Sequence, residues 1–181
     1  MAKSEQSGAG PYGGGNGAAT AGRSPTADLL QVEAALNGFH AAFQDLDAPA
    51  MAQVWAQSPH VRCIHPGGEM VVGADEVLRS WGDIFGSIQH LELSTRDTQI
   101  EVLDRMAWAT LIVDVSISTE DGDEFEASVA TTNVFENVDG TWRMVLHHAS
   151  NFVEDDGDDE DSDEGPRVLG FQFRNSDGSP N

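Results

Sequence analysis

The chain has 181 residues, one cysteine and a formal net charge of −22, from 31 acidic against nine basic side chains. That length suits one medium domain with tails, and the lone Cys63 excludes an internal disulfide framework. So acid-rich a surface repels nucleic acid and anionic lipid, and neither is expected as a partner.

The opening stretch MAKSEQSGAGPYGGGNGAATAGRSP is Gly, Ala and Ser with almost no large apolar groups. It cannot offset the entropy of ordering, so residues 1–26 are expected to be a disordered tail. It also lacks the apolar stretch of a secretory leader. No later run reaches the roughly 18–20 apolar residues of a membrane span, so a cytoplasmic protein is expected. Ser24-Pro25 or Thr26 can start a helix. Leu29, Val32, Leu36, Phe39, Phe43 and Leu46 follow at spacings of three and four, one apolar stripe over about five turns. Asp47 and Pro49 open a short second helix with Met51, Val54 and Trp55. SPHVRCIH reads as a strand that stops at His65, where Pro-Gly-Gly begins a turn. MVVG reads as a second short strand. A third helix starts at Gly73-Ala74-Asp75, with Val77, Leu78, Trp81, Ile84 and Phe85 on one side.

From His90 the period becomes two. Strands are expected over Leu91–Leu103, Ala107–Thr119, Glu124–Asn137 and Thr141–Val153, joined by DRM, EDGDE and NVDG. Long consecutive strands with tight turns make an antiparallel meander, here preceded by helices, so the class is α+β. The segment from Glu154 to Glu164 holds nine acids, and residues 154–181 are expected to be a mostly disordered tail containing one short apolar patch, Arg167–Phe173. Residues 27–153 form the expected domain. It carries 20 acids and five arginines, a net of about −15 without either tail. A nearly lysine-free domain of this charge repels itself, which concentrated salt relieves, so adaptation to a salty interior is expected.

The segments AFQDLDAPAMAQVWA, VRCIHPGGEMVVGADEVLRSW and ATTNVFENVDGTWRMVLHHAS, in this order, resemble the nuclear-transport-factor-2-like superfamily, in its SnoaL-like, ketosteroid-isomerase-like branch. The resemblance spans residues 27–153. It implies a cone in which N-terminal helices pack on a strongly curved, mainly antiparallel sheet around an open-mouthed pocket. It also implies a small apolar or carbonyl-bearing ligand, a homodimer and no dissociable cofactor. Ketosteroid isomerases carry their aspartate base in an Asp-Pro-x-Gly segment after the first strand, and HPGG puts His65 there. Imidazole can accept and donate a proton near neutrality, so His65 is the candidate acid–base residue. The isomerase tyrosine falls at Phe39 and the protonated carboxyl at Thr131, so that family's steroid machinery is incomplete in this chain. The implied chemistry is another isomerisation, dehydration or cyclisation, or ligand binding and association without catalysis.

The expected pocket wall comprises Phe39, Trp81, Thr131, Asn133 and His147. Strand alternation puts Phe125, Ala127, Val129, Thr131, Asn133 and Phe135 on one face. His147 and His148 point to opposite faces. Trp142 and Met144 share parity with His148, whereas Val145 shares it with His147. The resemblance favours His147 inside, and a bulge would exchange the two. Asp114 interrupts an apolar strand and reads as a half-exposed sheet carboxylate. His40 and His60 read as packing or surface residues, and Trp55, Trp81 and Trp108 as core. His60, Cys63, His65, His147 and His148 include zinc-ligand types, but no C-x-x-C or H-E-x-x-H spacing occurs, so no metal is expected.

Overall fold

The computed structural model describes residues 24–119 and 122–151. The expected N-terminal tail before residue 24, the acidic run from Glu154 to Glu164 and the patch Arg167–Phe173 lie outside the described residues. The elements are α1 (Pro25–Gln44), α2 (Ala48–Val54), β1 (Arg62–Ile64), β2 (Met70–Val72), α3 (Ala74–Ser87), β3 (Ile88–Leu103), β4 (Met106–Thr119), β5 (Glu124–Val138) and β6 (Thr141–Asn151). One six-stranded sheet has the order β2-β1-β6-β5-β4-β3. All neighbours are antiparallel except β1 and β6.

Helix α1 begins with Pro25 at its first turn, where the missing N–H costs nothing. Its buried stripe is Asp28, Val32, Leu36, Phe39 and Ala42. Asp28 and Gln44 tie the helix to the sheet. Trp142 Nε1 of β6 donates to Asp28 Oδ1 at 3.2 Å. The Gln44 amide accepts from Leu93 N at 2.9 Å and donates to the Leu91 carbonyl. Gln44 thereby occupies the open edge of β3 in place of a neighbouring strand. In α2 the Asp47 carboxylate caps the helix, accepting from Ala50 N at 2.9 Å.

The first strand is shorter than the sequence pattern suggests. Pairing covers only Arg62–Ile64, because residues 58–60 turn on themselves, with Ser58 Oγ 2.6 Å from His60 Nδ1. The β5–β6 hairpin closes on Asp139 and Gly140, both at positive φ, as a two-residue turn of this kind requires. The inner sheet face and the inner sides of α1, α2 and α3 share one core, with Trp55, Phe135, Met51 and Met144 essentially inaccessible. Trp108, expected in that core, instead stands on the outer sheet face, 39% exposed, because its parity in β4 is opposite to Ala107 and Ala109.

Candidate functional site

Strand β1 ends at Ile64, and His65 follows in a turn that the sequence dictates. His65 O accepts from Gly68 N at 2.9 Å, Pro66 follows, and Gly67 has φ 73°. Proline then glycine at the two central positions are the demands of a type II turn. The turn ends the strand and leaves the imidazole facing inward, 3% exposed. There His65 meets Trp81 of α3 edge to face, with ring centres 4.9 Å apart.

One proton can be located by counting donors. Ser80 Oγ donates its only hydrogen to the Val77 carbonyl at 2.8 Å and also lies 3.0 Å from His65 Nε2. Nε2 must therefore carry the hydrogen and donate to Ser80, which makes Nδ1 the lone-pair nitrogen. Cys63 Sγ lies 3.6 Å from Nε2. Burial pushes the Cys63 thiol well above its ordinary value, so it stays protonated. Burial likewise lowers His65 from 6.5 to about 4, so the ring is neutral at physiological pH.

His147 of β6 is the second imidazole. Parity with Trp142 and Met144 would have sent it outward, but the register slips between Val134 and Phe135 and leaves Val145 as an extra residue. After that bulge Val145, His147 and Ala149 face inward and His148 is exposed. His147 Nδ1 donates to Asn133 Oδ1 at 2.7 Å, the reverse tautomer from His65. Its pKa is held well below the ordinary value, first by burial and then by repulsion from His65, His40 and His148. A proton on one ring thus disfavours a second proton beside it.

These groups border a cavity of about 590 Å³. Phe39, His40 and Phe43 of α1 form one wall, with Trp81 of α3 and the His65–Pro66 turn beside them. The opposite wall is the concave sheet: Val113 and Val115 of β4, Ala127, Val129 and Thr131 of β5, His147 and Ala149 of β6. Ser116, Glu124, Phe125, Glu126 and Asn151 complete the lining. Phe39, His65, Trp81, Thr131 and His147, expected around a pocket, therefore stand around a single cavity. Asn133 does not reach it. It sits fully buried behind His147 and fixes that ring, while its Nδ2 finds no hydrogen-bond partner among the described residues. The Thr131 hydroxyl is turned to the Leu111 carbonyl at 3.4 Å.

His40, read from the sequence as a packing or surface residue, also lines the cavity. It lies one step off the α1 stripe, but Phe39 and Phe43 both face the cavity and widen the inward face to include it. Burial lowers it to about 4, and its Nε2 is buried without a partner among the described residues. Asp114 stands on the outer face, bonded to Arg96 Nε at 3.0 Å and to Ser128 Oγ at 2.5 Å. The Ser128 and Arg96 bonds hold its carboxyl below the usual range. His60 pairs with Glu136 at 3.2 Å, away from the cavity.

The site thus presents neutral imidazoles in aromatic and aliphatic walls, able to accept a proton and poor at holding two. Burial gives His65 roughly the basicity of a carboxylate. The comparisons with known proteins agree with this architecture. The model of the SnoaL-like domain matches residues 32–154. F-box protein SKIP8 of Arabidopsis thaliana is 36% identical over 118 residues, covering 65% of this chain and 48% of that protein. This chain thus spans about half the length of that curated relative. A candidate dehydratase of the nuclear-transport-factor-2-like family from Streptomyces avermitilis superposes with a TM-score of 0.67 at 26% identity, over 72% of this chain and all of that one. A candidate calcium/calmodulin-dependent protein kinase type II association domain from Thiobacillus denitrificans gives 0.57 at 34% identity, over 67% of this chain and 94% of its own.

Proposed function

Since this chain belongs to the SnoaL-like domain family, we propose that it binds a small ring-bearing carbonyl compound in the cavity and moves a proton on it. The chemistry would be of the isomerase, dehydratase or cyclase type, with His65 as the base. The observation that carries this reading is the placement of His65: a neutral imidazole of fixed tautomer at the wall of an apolar cavity, 3.0 Å from the serine that orients it. Abstraction of a proton from carbon needs an unprotonated base of that kind within reach of the substrate. The apolar, low-dielectric walls around it strengthen its interaction with developing charge. His147 is the second group, accepting through Nε2 or relaying a proton.

A second reading, binding without turnover, is favoured by one observation. The Thr131 hydroxyl is turned to a backbone carbonyl and the His147 Nδ1 proton to Asn133, so neither is directed at a developing oxyanion. The outer sheet face supports a homodimer as part of either reading, since it exposes Trp108 and Met106 between polar residues. No helix among the described residues is long and apolar enough to cross a membrane. A thermal-shift screen of ring-bearing carbonyl compounds in molar KCl, repeated on His65→Ala, tests the proposal. A compound that raises Tm in the wild-type protein and much less in the variant is expected. Equal shifts in both would remove His65 from the ligand contacts.

A further inference from the structure

Asn133 is fully buried, and only half of its amide is satisfied. Oδ1 accepts from His147 Nδ1 at 2.7 Å, whereas Nδ2 has no hydrogen-bond partner among the described residues. The two residues are register partners across β5 and β6, so the sheet holds amide and ring side by side. A primary amide rotated by half a turn about its last bond puts nitrogen where oxygen was. In that orientation Nδ2 donates to Nδ1, which must then be the lone-pair nitrogen, and Oδ1 becomes the atom without a partner. Either orientation leaves one buried amide atom unpaired, so neither is strongly favoured and a ligand can decide between them.

The amide also sets what His147 offers the cavity. His147 lines that cavity and Asn133 does not; Nε2, across the ring from Nδ1, bonds to none of the described residues. Burial first, and then repulsion from His65, His40 and His148, keeps the ring from carrying both hydrogens at once. With Nδ1 protonated, Nε2 presents a lone pair, which repels a carbonyl oxygen. With the amide turned, Nε2 carries the hydrogen and donates to that oxygen. We propose that Asn133 is a positioning residue whose amide turns when a carbonyl compound enters, converting His147 from an acceptor into the donor for the carbonyl oxygen. The ring stays neutral: one hydrogen is lost to solvent at Nδ1 and one is gained from it at Nε2. When His65 takes the proton from the adjacent carbon, the C–H electron pair forms the new C=C bond. The carbonyl π pair then moves onto oxygen, where the Nε2–H bond strengthens. This inference rests on the cavity being the site of that proton transfer, and it adds the oxyanion donor that Thr131 does not supply.

The test uses two probes of one shape, 2-tetralone and its hydrocarbon tetralin, each added to saturation to the full chain at neutral pH. Long-range ¹⁵N–¹H correlation spectra read the His147 tautomer, and calorimetry confirms binding. With the ketone, the Nε2 resonance should move from the range of a bare ring nitrogen to that of a protonated one, and Nδ1 the opposite way. A ¹⁵N–¹⁵N coupling across the hydrogen bond from Asn133 Nδ2 to His147 Nδ1 should appear with it. Tetralin, which fills the cavity but accepts no hydrogen bond, should leave Nδ1 protonated. The variant Asn133→Leu removes the amide at similar volume, and its His147 signals should then show the same tautomer with and without the ketone. A ring still protonated at Nδ1 with the ketone bound, or a switch that tetralin also produces, overturns the inference and leaves His65 as the base. A ketone-driven switch that survives in Asn133→Leu overturns the role of Asn133. Failure of both probes to bind overturns this inference and the ligand pocket together.

Discussion

The neutral state of His65 has a measurable consequence for stability. In the folded chain its pKa is lowered by burial to about 4, against an ordinary 6.5 that the unfolded chain recovers. As pH falls, the unfolded state takes up the proton first, so acid favours unfolding. The contribution of this group is fully present above the unfolded value and is lost as pH falls from there toward the folded value. At about pH 5 nearly all unfolded imidazoles and about one folded imidazole in ten are protonated, which costs roughly 2 kcal/mol. Near pH 4 the cost reaches roughly 3 kcal/mol. The substitution His65→Gln removes this titration and leaves His40 and His147 in place. Urea unfolding at fixed ionic strength, at about pH 7 and about pH 5, measures both proteins. The wild-type protein should lose ~2 kcal/mol more than the variant between the two conditions, whatever their absolute stabilities. Losses equal within about 0.5 kcal/mol would refute the argument that burial holds His65 neutral.

Three further outcomes follow from particular contacts. Long-range ¹⁵N–¹H correlation spectra at neutral pH should show His65 protonated at Nε2 and His147 at Nδ1; the same tautomer at both would contradict the Ser80 and Asn133 assignments. In Gln44→Leu the open edge of β3 loses its surrogate partner. The Leu93 amide should then exchange with solvent at least about tenfold faster, the equivalent of roughly 1.4 kcal/mol of local protection, while an unchanged rate would mean that the edge is held by something else. Because the stretch from residue 27 to residue 153 is itself acid-rich, raising KCl from low to molar should lift Tm by at least about 4 °C, roughly 1 kcal/mol for a domain of this size. A Tm that stays flat or falls would refute the self-repulsion argument.

Much of the fold was legible because its signals are local. The α1 stripe, the proline and glycine punctuation, and the long two-period strands each specify their own element, and element order then limits the architecture. His65 was legible for the same reason, since a strand end and a Pro-Gly turn fix its position together. The rest depended on distant partners. Parity alone would place His148 inside, and only the extra residue at Val145, opposite β5, reverses it. Asn133 shares a strand face with Thr131, yet the bond to His147 draws it into the wall rather than the cavity. His40 carries no helical signal of its own, and it borders the cavity because Phe39 and Phe43 on either side already do.

The central claim, that His65 is a base acting on a ligand in this cavity, is tested most directly by hydrogen exchange at carbon. The probe is 2-tetralone, a flat ketone with acidic C–H bonds, incubated in D₂O with the protein in molar KCl and followed by mass spectrometry. The account predicts that deuterium enters the ketone faster with the wild-type protein than in buffer, and that His65→Gln abolishes the excess. Exchange at the buffer rate while calorimetry shows the ketone bound, or an excess that survives in His65→Gln, would contradict it.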